Sequence, residues 1–363
     1  MKKSVKSVAI FMIVLGILGF FAYSLIAFPK EFTNAIVRSI NCCFTVIIPA
    51  LYGFLVIGTF LVKTNIYAVL SKPFSVFSRY VFKIPEELFS VFLISQFAGF
   101  PIGAKLISEL VSCGKIGKCD AEKIICYCYA GGPAFIIGLV GVELFGSVKI
   151  GLLIYLSIVL TNFVIGILFG IGKKVPVKSE NKIEVKISWG ILINSIESAA
   201  KSLFKVCFMI VFFAIITTIL EQTGIIDFLA IGAAKFFSVT SENASGLVKS
   251  IFEISNLSSM SINCFKCLPF IAGIFSFGGV CIILQIFTLA GEKINLKKFV
   301  ITRTFSTIIC YFLSKIVFSI FIKEIPVYWS FDKVDFVMTA SPIPSFCLIF
   351  MTIIILLKKS SNI

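Results

Sequence analysis

The residues best suited to chemistry lie where this chain is most apolar. Gln96 to Lys105, QFAGFPIGAK, sets an amide, two glycines, a proline and a lysine inside an otherwise hydrophobic run. Gly99, Pro101 and Gly103 predict an interrupted helix, since glycine weakens a helix and proline lacks the N–H its interior needs. An interruption frees N–H groups and exposes the positive end of a helix dipole, which together hold anions and polar groups. Lys105 adds a full positive charge, and Glu109, four residues on, stands where the two can pair on one helical face. Gly131-Gly132-Pro133 and Ser276-Phe277-Gly278-Gly279 predict two further breaks. Glu253, in FEISNLSSM, is a carboxylate flanked by apolar residues. Ionisable groups at membrane depth cost ~2.5–3.5 kcal/mol on insertion scales and therefore mark function.

These features give a candidate site. Its substrate-binding residues are Gln96, Gly99, Pro101, Gly103, Lys105, Gly131, Gly132, Pro133, Asn256, Ser276, Gly278, Gly279 and Gln285, and Glu253 is the residue for proton or cation coupling. Gly138, Gly141, Gly166 and Gly170 read instead as helix-packing positions.

Composition decides the solvent. With 58% hydrophobic residues, 14% charged residues and a mean hydropathy of +1.06, the chain of 363 residues belongs in a bilayer. The formal charge of +15 sits in short lysine clusters between apolar runs, which argues for topology signals and against nucleic acid as a partner. The chain has no histidine, so Ser-His-Asp and Cys-His chemistry is excluded. Cys264 and Cys267 form a C-x-x-C with no second pair, which makes a zinc site improbable, and most of the twelve cysteines fall inside predicted helices as small apolar side chains. No dinucleotide or P-loop fingerprint occurs, so no cofactor is expected and the chain does not read as an enzyme.

Spans are expected near 8–28, 44–62, 122–146, 148–171, 203–221, 268–291, 299–321 and 340–358. Segments 88–112 and 243–265 read as re-entrant hairpins. With both hairpins folded back, twenty lysines and arginines fall on the cytoplasmic side against eight outside, and both termini are cytoplasmic. The expected fold is an all-α polytopic membrane protein of about eight transmembrane helices plus two hairpins in two inverted-topology repeats. Its organisation is an N-terminal helix (1–29), a first repeat (30–172), a cytoplasmic linker (173–190), a second repeat (191–322), and an outer loop with a last helix (323–363). The repeats rest on order and spacing: Thr64-Asn65-Ile66 and Thr223-Gly224-Ile225 are offset by 159, and Gly131-Gly132 and Gly278-Gly279 by 147.

FAGFPIGAKL, AGGPAFIIGLVG, FEIS and FSFGGVCIILQ, in this order, resemble the sporulation integral membrane proteins of the YlbJ type, which contain nucleoside-recognition Gate domains. The similarity covers roughly 40–320. It implies a protein of the outer forespore membrane that moves dipicolinate toward the spore, and a plan similar to that of concentrative nucleoside transporters. Lys105 and the glycine breaks would then serve the two carboxylates. The chain departs from the family at Ile254-Ser255-Asn256-Leu257, where a glycine is usual, and at Cys281 and Ile283, where glutamines are usual, leaving Gln285.

The expected function is transport of a small polar or anionic solute by alternating access. Membrane lipid and the solute are the expected partners, and a homo-oligomer stays open. The alternatives are a nucleoside-type transporter outside sporulation and a non-transporting scaffold or sensor. The longest polar segments, under twenty residues each, count against a scaffold.

Overall fold

The computed structural model describes residues 2–172, 184–260, 267–291 and 294–322. Most of the expected linker, the far end of the second hairpin and the C-terminal span 340–358 lie outside the described residues.

A backbone in hydrocarbon has no water to bond, so its N–H and C=O groups must pair within the chain. The described residues accordingly form helices and turns, with no strand among them. Five helical stretches are long and apolar enough to cross a membrane: Pro29–Lys63, Val148–Gly170, Trp189–Gln222, Leu268–Ala290 and Lys297–Phe321. They mark an all-α, membrane-embedded protein.

The first half begins with α1 (Lys2–Ala27). α2 (Pro29–Cys42) continues through a π turn into α3 (Ile48–Lys63), and Asn65, left-handed at φ 63°, separates α3 from α4 (Ile66–Ser71). A short π helix, Phe77–Phe82, ends at left-handed Lys83. α5 (Phe89–Ala98) and α6 (Phe100–Ser112) flank Gly99, and α7 (Lys118–Ile124) follows. After a non-helical stretch, α8 (Pro133–Phe135) runs into a π helix that ends at Leu144, and α9 (Val148–Gly170) is capped by Ser147.

The second half opens with α10 (Trp189–Gln222), capped by Ser188, and turns at left-handed Gly224 into α11 (Ile225–Phe237), which ends at left-handed Ser238. Then come α12 (Ser241–Phe252), a 3₁₀ turn at Ile254–Ser259, α13 (Leu268–Phe277), α14 (Gly279–Ala290) and α15 (Lys297–Phe321).

Two expected spans start earlier than hydropathy suggested. The helix containing 44–62 begins at Pro29 and that containing 203–221 at Trp189, because proline and a serine cap start helices upstream of polar but helix-compatible residues. The expected span 122–146 is not one helix. Its break was expected at Ala130 to Pro133, whereas unwinding begins at Ile125, directly after α7.

Among the described residues the chain turns back on itself within both segments. A Cβ on Gly103 would lie 3.0 Å from the Cβ of Ser95, whereas eight residues of straight helix span about 12 Å. In the second, the chain leaves α12 at an extended Glu253 and returns so that Met260 lies against Gly246.

α15 is polar inside and apolar outside. Arg303, Ser306, Cys310 and Ser314, at spacings of three and four, are buried. Ile301, Phe305, Ile308, Phe312 and Ile316 are more than half exposed. That is a helix arranged for lipid around a polar interior.

The packing-glycine reading holds for three of four positions. Gly141 lies against the backbone of Gly151, Gly166 against the Phe82 ring and Gly170 against the carbonyls of Val81 and Phe82. A Cβ on Gly138 would meet nothing within 4 Å.

The tightest approach among the expected site glycines of the first hairpin is Gly103, where an added Cβ would sit 2.1 Å from the carbonyl oxygen of Cys128. Gly103→Ala is therefore expected to destabilise the purified protein by about 1–3 kcal/mol, read as a lower melting temperature in detergent, while Gly138→Ala leaves it unchanged or raises it.

Candidate functional site

The chain is non-helical from Ile125 to Gly132, yet Cys126 to Ala130 are fully buried. Unwinding strips these residues of i→i+4 partners, and a buried unpaired carbonyl costs about 1–3 kcal/mol. Side chains from three other helices supply the missing donors. Arg303 of α15 donates from Nη2 to the Cys126 carbonyl. Gln96 of α5 donates from Nε2 to the Tyr127 carbonyl at 3.2 Å. Asn162 of α9 donates from Nδ2 to the Tyr129 carbonyl at 2.6 Å.

The donors are themselves joined. Asn162 Nδ2 also donates to Gln96 Oε1 at 2.9 Å, and Asn162 Oδ1 accepts from Arg303 Nη1 at 3.2 Å. The Tyr155 hydroxyl donates to the Gln96 carbonyl at 3.3 Å.

A second break lies across the same cluster. Gly278 and Gly279 have φ of 87° and 84°, a left-handed pair that ends α13 and starts α14. Arg303 Nη1 donates to the Ser276 carbonyl at 3.3 Å, and the Tyr129 hydroxyl donates to the Phe277 carbonyl at 2.9 Å. Glycine at 278 is required twice, by its φ and by the Tyr129 hydroxyl, which occupies the space a Cβ would need. One guanidinium thus bonds a carbonyl of the unwound segment and one in the last turn of α13, just before the second break. It also stacks over the Tyr129 ring at 4.7 Å and lies 5.8 Å from that of Phe299.

The first hairpin closes on this cluster. Gly99, at φ 102°, brings its backbone beside Gly132, and the Phe100 ring covers Gly131. Pro101 and Pro133 stand in the first turns of α6 and α8, where no N–H is missed. Gln96, Gly99, Gly103, Gly131, Gly132, Ser276 and Gly278 are therefore brought together, with Pro101 and Pro133 beside them.

The other expected residues lie apart from the Arg303 cluster. Lys105 pairs with Glu109 at 2.9 Å, as their spacing predicted, and Glu109 accepts from Ser198 of α10 at 3.2 Å. Gln285 donates to Cys281 Sγ at 3.3 Å one turn along α14. Glu253 is buried and accepts from the backbone N–H of Ser255 at 3.1 Å and from its hydroxyl. Asn256 donates from Nδ2 to the Lys249 carbonyl at 3.4 Å. Gly279 links the two regions, since a Cβ there would lie 3.2 Å from the carbonyls of Ser250 and Ile251 at the end of α12.

Sequence reasoning missed Arg303, Asn162, Tyr129 and Tyr155. For Arg303 a signal was present: it is one of three arginines among thirty-three basic residues and lies inside an expected span. Among the described residues no carboxylate lies within ion-pair distance of it, and its Nε has no hydrogen-bond partner.

Asn162→Leu removes bonds to Tyr129, Gln96 and Arg303 at similar volume. It is expected to lower stability by about 2 kcal/mol or more, while exposed Ser319→Ala stays within about 0.5 kcal/mol. Paired thermal melts in one detergent check both.

No family matches this chain, and no curated protein or solved structure is found to be similar to it.

Proposed function

We propose that this chain is an integral membrane transporter of a small polar or anionic solute, working by alternating access between two inverted repeats. The observation that carries the reading is the meeting of one unwound, buried segment, a second helix break at Gly278 and a fold-back hairpin around one polar cluster. Non-helical backbone at membrane depth is tolerated where it is enclosed by protein or lines a path for solute, and transporters build their sites from such breaks. α6 and α14 both start at a break, so their N-terminal dipoles favour negative charge there.

The order of elements supports the repeats. In each half a long helix ends at a left-handed residue, Asn65 or Gly224, at the offset of 159. Each continues through a short segment ending at a second left-handed residue, Lys83 or Ser238, then a hairpin, a broken helix and a long helix. The loop lysines support opposite orientations for the halves, about eight spans and cytoplasmic termini.

The motifs shared with the YlbJ-type sporulation proteins make dipicolinate the first solute to try and the outer forespore membrane the proposed location. Glu253, buried without a basic partner among the described residues, is the proposed coupling residue.

Uptake into proteoliposomes tests the reading, with labelled dipicolinate and labelled nucleosides offered separately. Saturable dipicolinate uptake above empty liposomes is expected. Glu253→Gln is expected to keep solute exchange across the membrane and to lose accumulation driven by an ion gradient. Folded, inserted protein that moves none of these solutes would contradict transport and favour a scaffold or sensor.

A further inference from the structure

Arg303 is chemically excessive for the structural task it performs. Gln96 and Asn162 show that neutral amides satisfy the carbonyls of this same unwound segment. A neutral donor at 303 would do so without the cost of desolvating a full charge. The chain uses lysine for thirty of its thirty-three cations, yet among the described residues the fully buried cation is an arginine. Guanidinium differs from ammonium in offering a planar fork that matches a carboxylate.

The neighbours supply no counter-charge. The titratable groups around Arg303 are Tyr129 and the thiols of Cys126, Cys128 and Cys310, with no carboxylate among them. The nearest alternative cation of the expected site, Lys105, already holds Glu109. One Arg303 donor, Nε, remains without an acceptor while fully buried.

We infer that Arg303 is the anion-recognising residue of the transport site, binding a carboxylate of the solute in place of the Cys126 and Ser276 carbonyls. The inference rests on the transport reading and names the solute class, a small carboxylate. In the empty protein the guanidinium holds the unwound segment and the end of α13 at once. A carboxylate that takes over its Nη donors releases those carbonyls, so binding and separation of the segments share one set of hydrogen bonds. The solute then favours one state over the other through contacts that differ between them, as any ligand-driven shift requires.

The test uses full-length protein in proteoliposomes, with labelled dipicolinate as the carboxylate probe and labelled uridine as the neutral one. Arg303→Gln is expected to raise the KM for dipicolinate by about tenfold or more, and Arg303→Lys by a smaller factor, since it keeps charge and loses the fork. Because either variant could misfold, a second measurement keeps Arg303 intact. In the variant Arg38→Lys/Arg79→Lys, Arg303 is the only arginine left, and with isotope in the arginine nitrogens dipicolinate is expected to shift its guanidinium resonances whereas uridine is not.

Wild-type KM for dipicolinate in folded Arg303→Gln, or guanidinium resonances unmoved by saturating dipicolinate, would overturn the inference and leave Arg303 a structural clamp. Transport of uridine but not dipicolinate by the wild type would overturn it while sparing the transport reading. Transport of neither would overturn both.

Discussion

A carbonyl oxygen buried among protein side chains in a membrane protein must find a donor. Between Ile125 and Gly132 the chain leaves the helix, and the buried carbonyls of Cys126, Tyr127 and Tyr129 take side-chain donors in place of helical ones. Gln96 comes from the first hairpin, Asn162 from α9 and Arg303 from α15, each aimed at a different carbonyl. Because Arg303 also bonds Ser276 across the second break, one side chain fixes the relative position of the two irregular segments. Remove it, and each segment keeps its glycines but loses a shared partner.

The helices that present these donors are sorted by the same constraint. α9 turns Ser157, Thr161 and Asn162 inward and leaves Leu152, Leu156, Leu160 and Leu168 on the outside. α15 repeats the arrangement with Arg303, Ser306, Cys310 and Ser314. The outer faces are apolar; of the inner polar residues, Ser157, Thr161, Ser306 and Ser314 bond carbonyls of their own helices, while Asn162 and Arg303 reach the unwound backbone. Glycine serves this packing by absence: at 103 and 278 the missing Cβ is what lets a carbonyl and a hydroxyl of the unwound segment approach.

Much of this was legible in the chain. The breaks at Gly99, Gly131-Gly132 and Gly278 announce themselves, since glycine and proline act locally and need no knowledge of the fold. The all-helical, membrane-embedded class follows from hydropathy. Helix starts at Pro29 and Trp189 are obscured because polar residues follow them, Lys30 and Glu31 in α2 and Asn194, Glu197 and Lys201 in α10, which hydropathy discounts but helical geometry accepts. The donors were less visible. Gln96 drew notice through its neighbours, while Asn162 and Arg303 act on carbonyls far away in the chain, a relation that no local pattern encodes. Lys105 and Arg303 are both cations within apolar runs, and only packing distinguishes the one held by Glu109 from the one held by carbonyls.

The claim at the centre is that Arg303 bonds the carbonyl of Cys126 in the empty protein. Solid-state magnetic resonance on lipid-reconstituted protein measures this directly, with isotope in the arginine nitrogens and the cysteine carbonyl carbons and with Arg38 and Arg79 replaced by lysine. A strong dipolar contact between the guanidinium and a cysteine carbonyl is predicted, and it should vanish in Cys126→Ser, where the label is lost but the backbone remains. A guanidinium without that contact, or one coupled instead to a carboxylate carbon of the chain, would contradict the account.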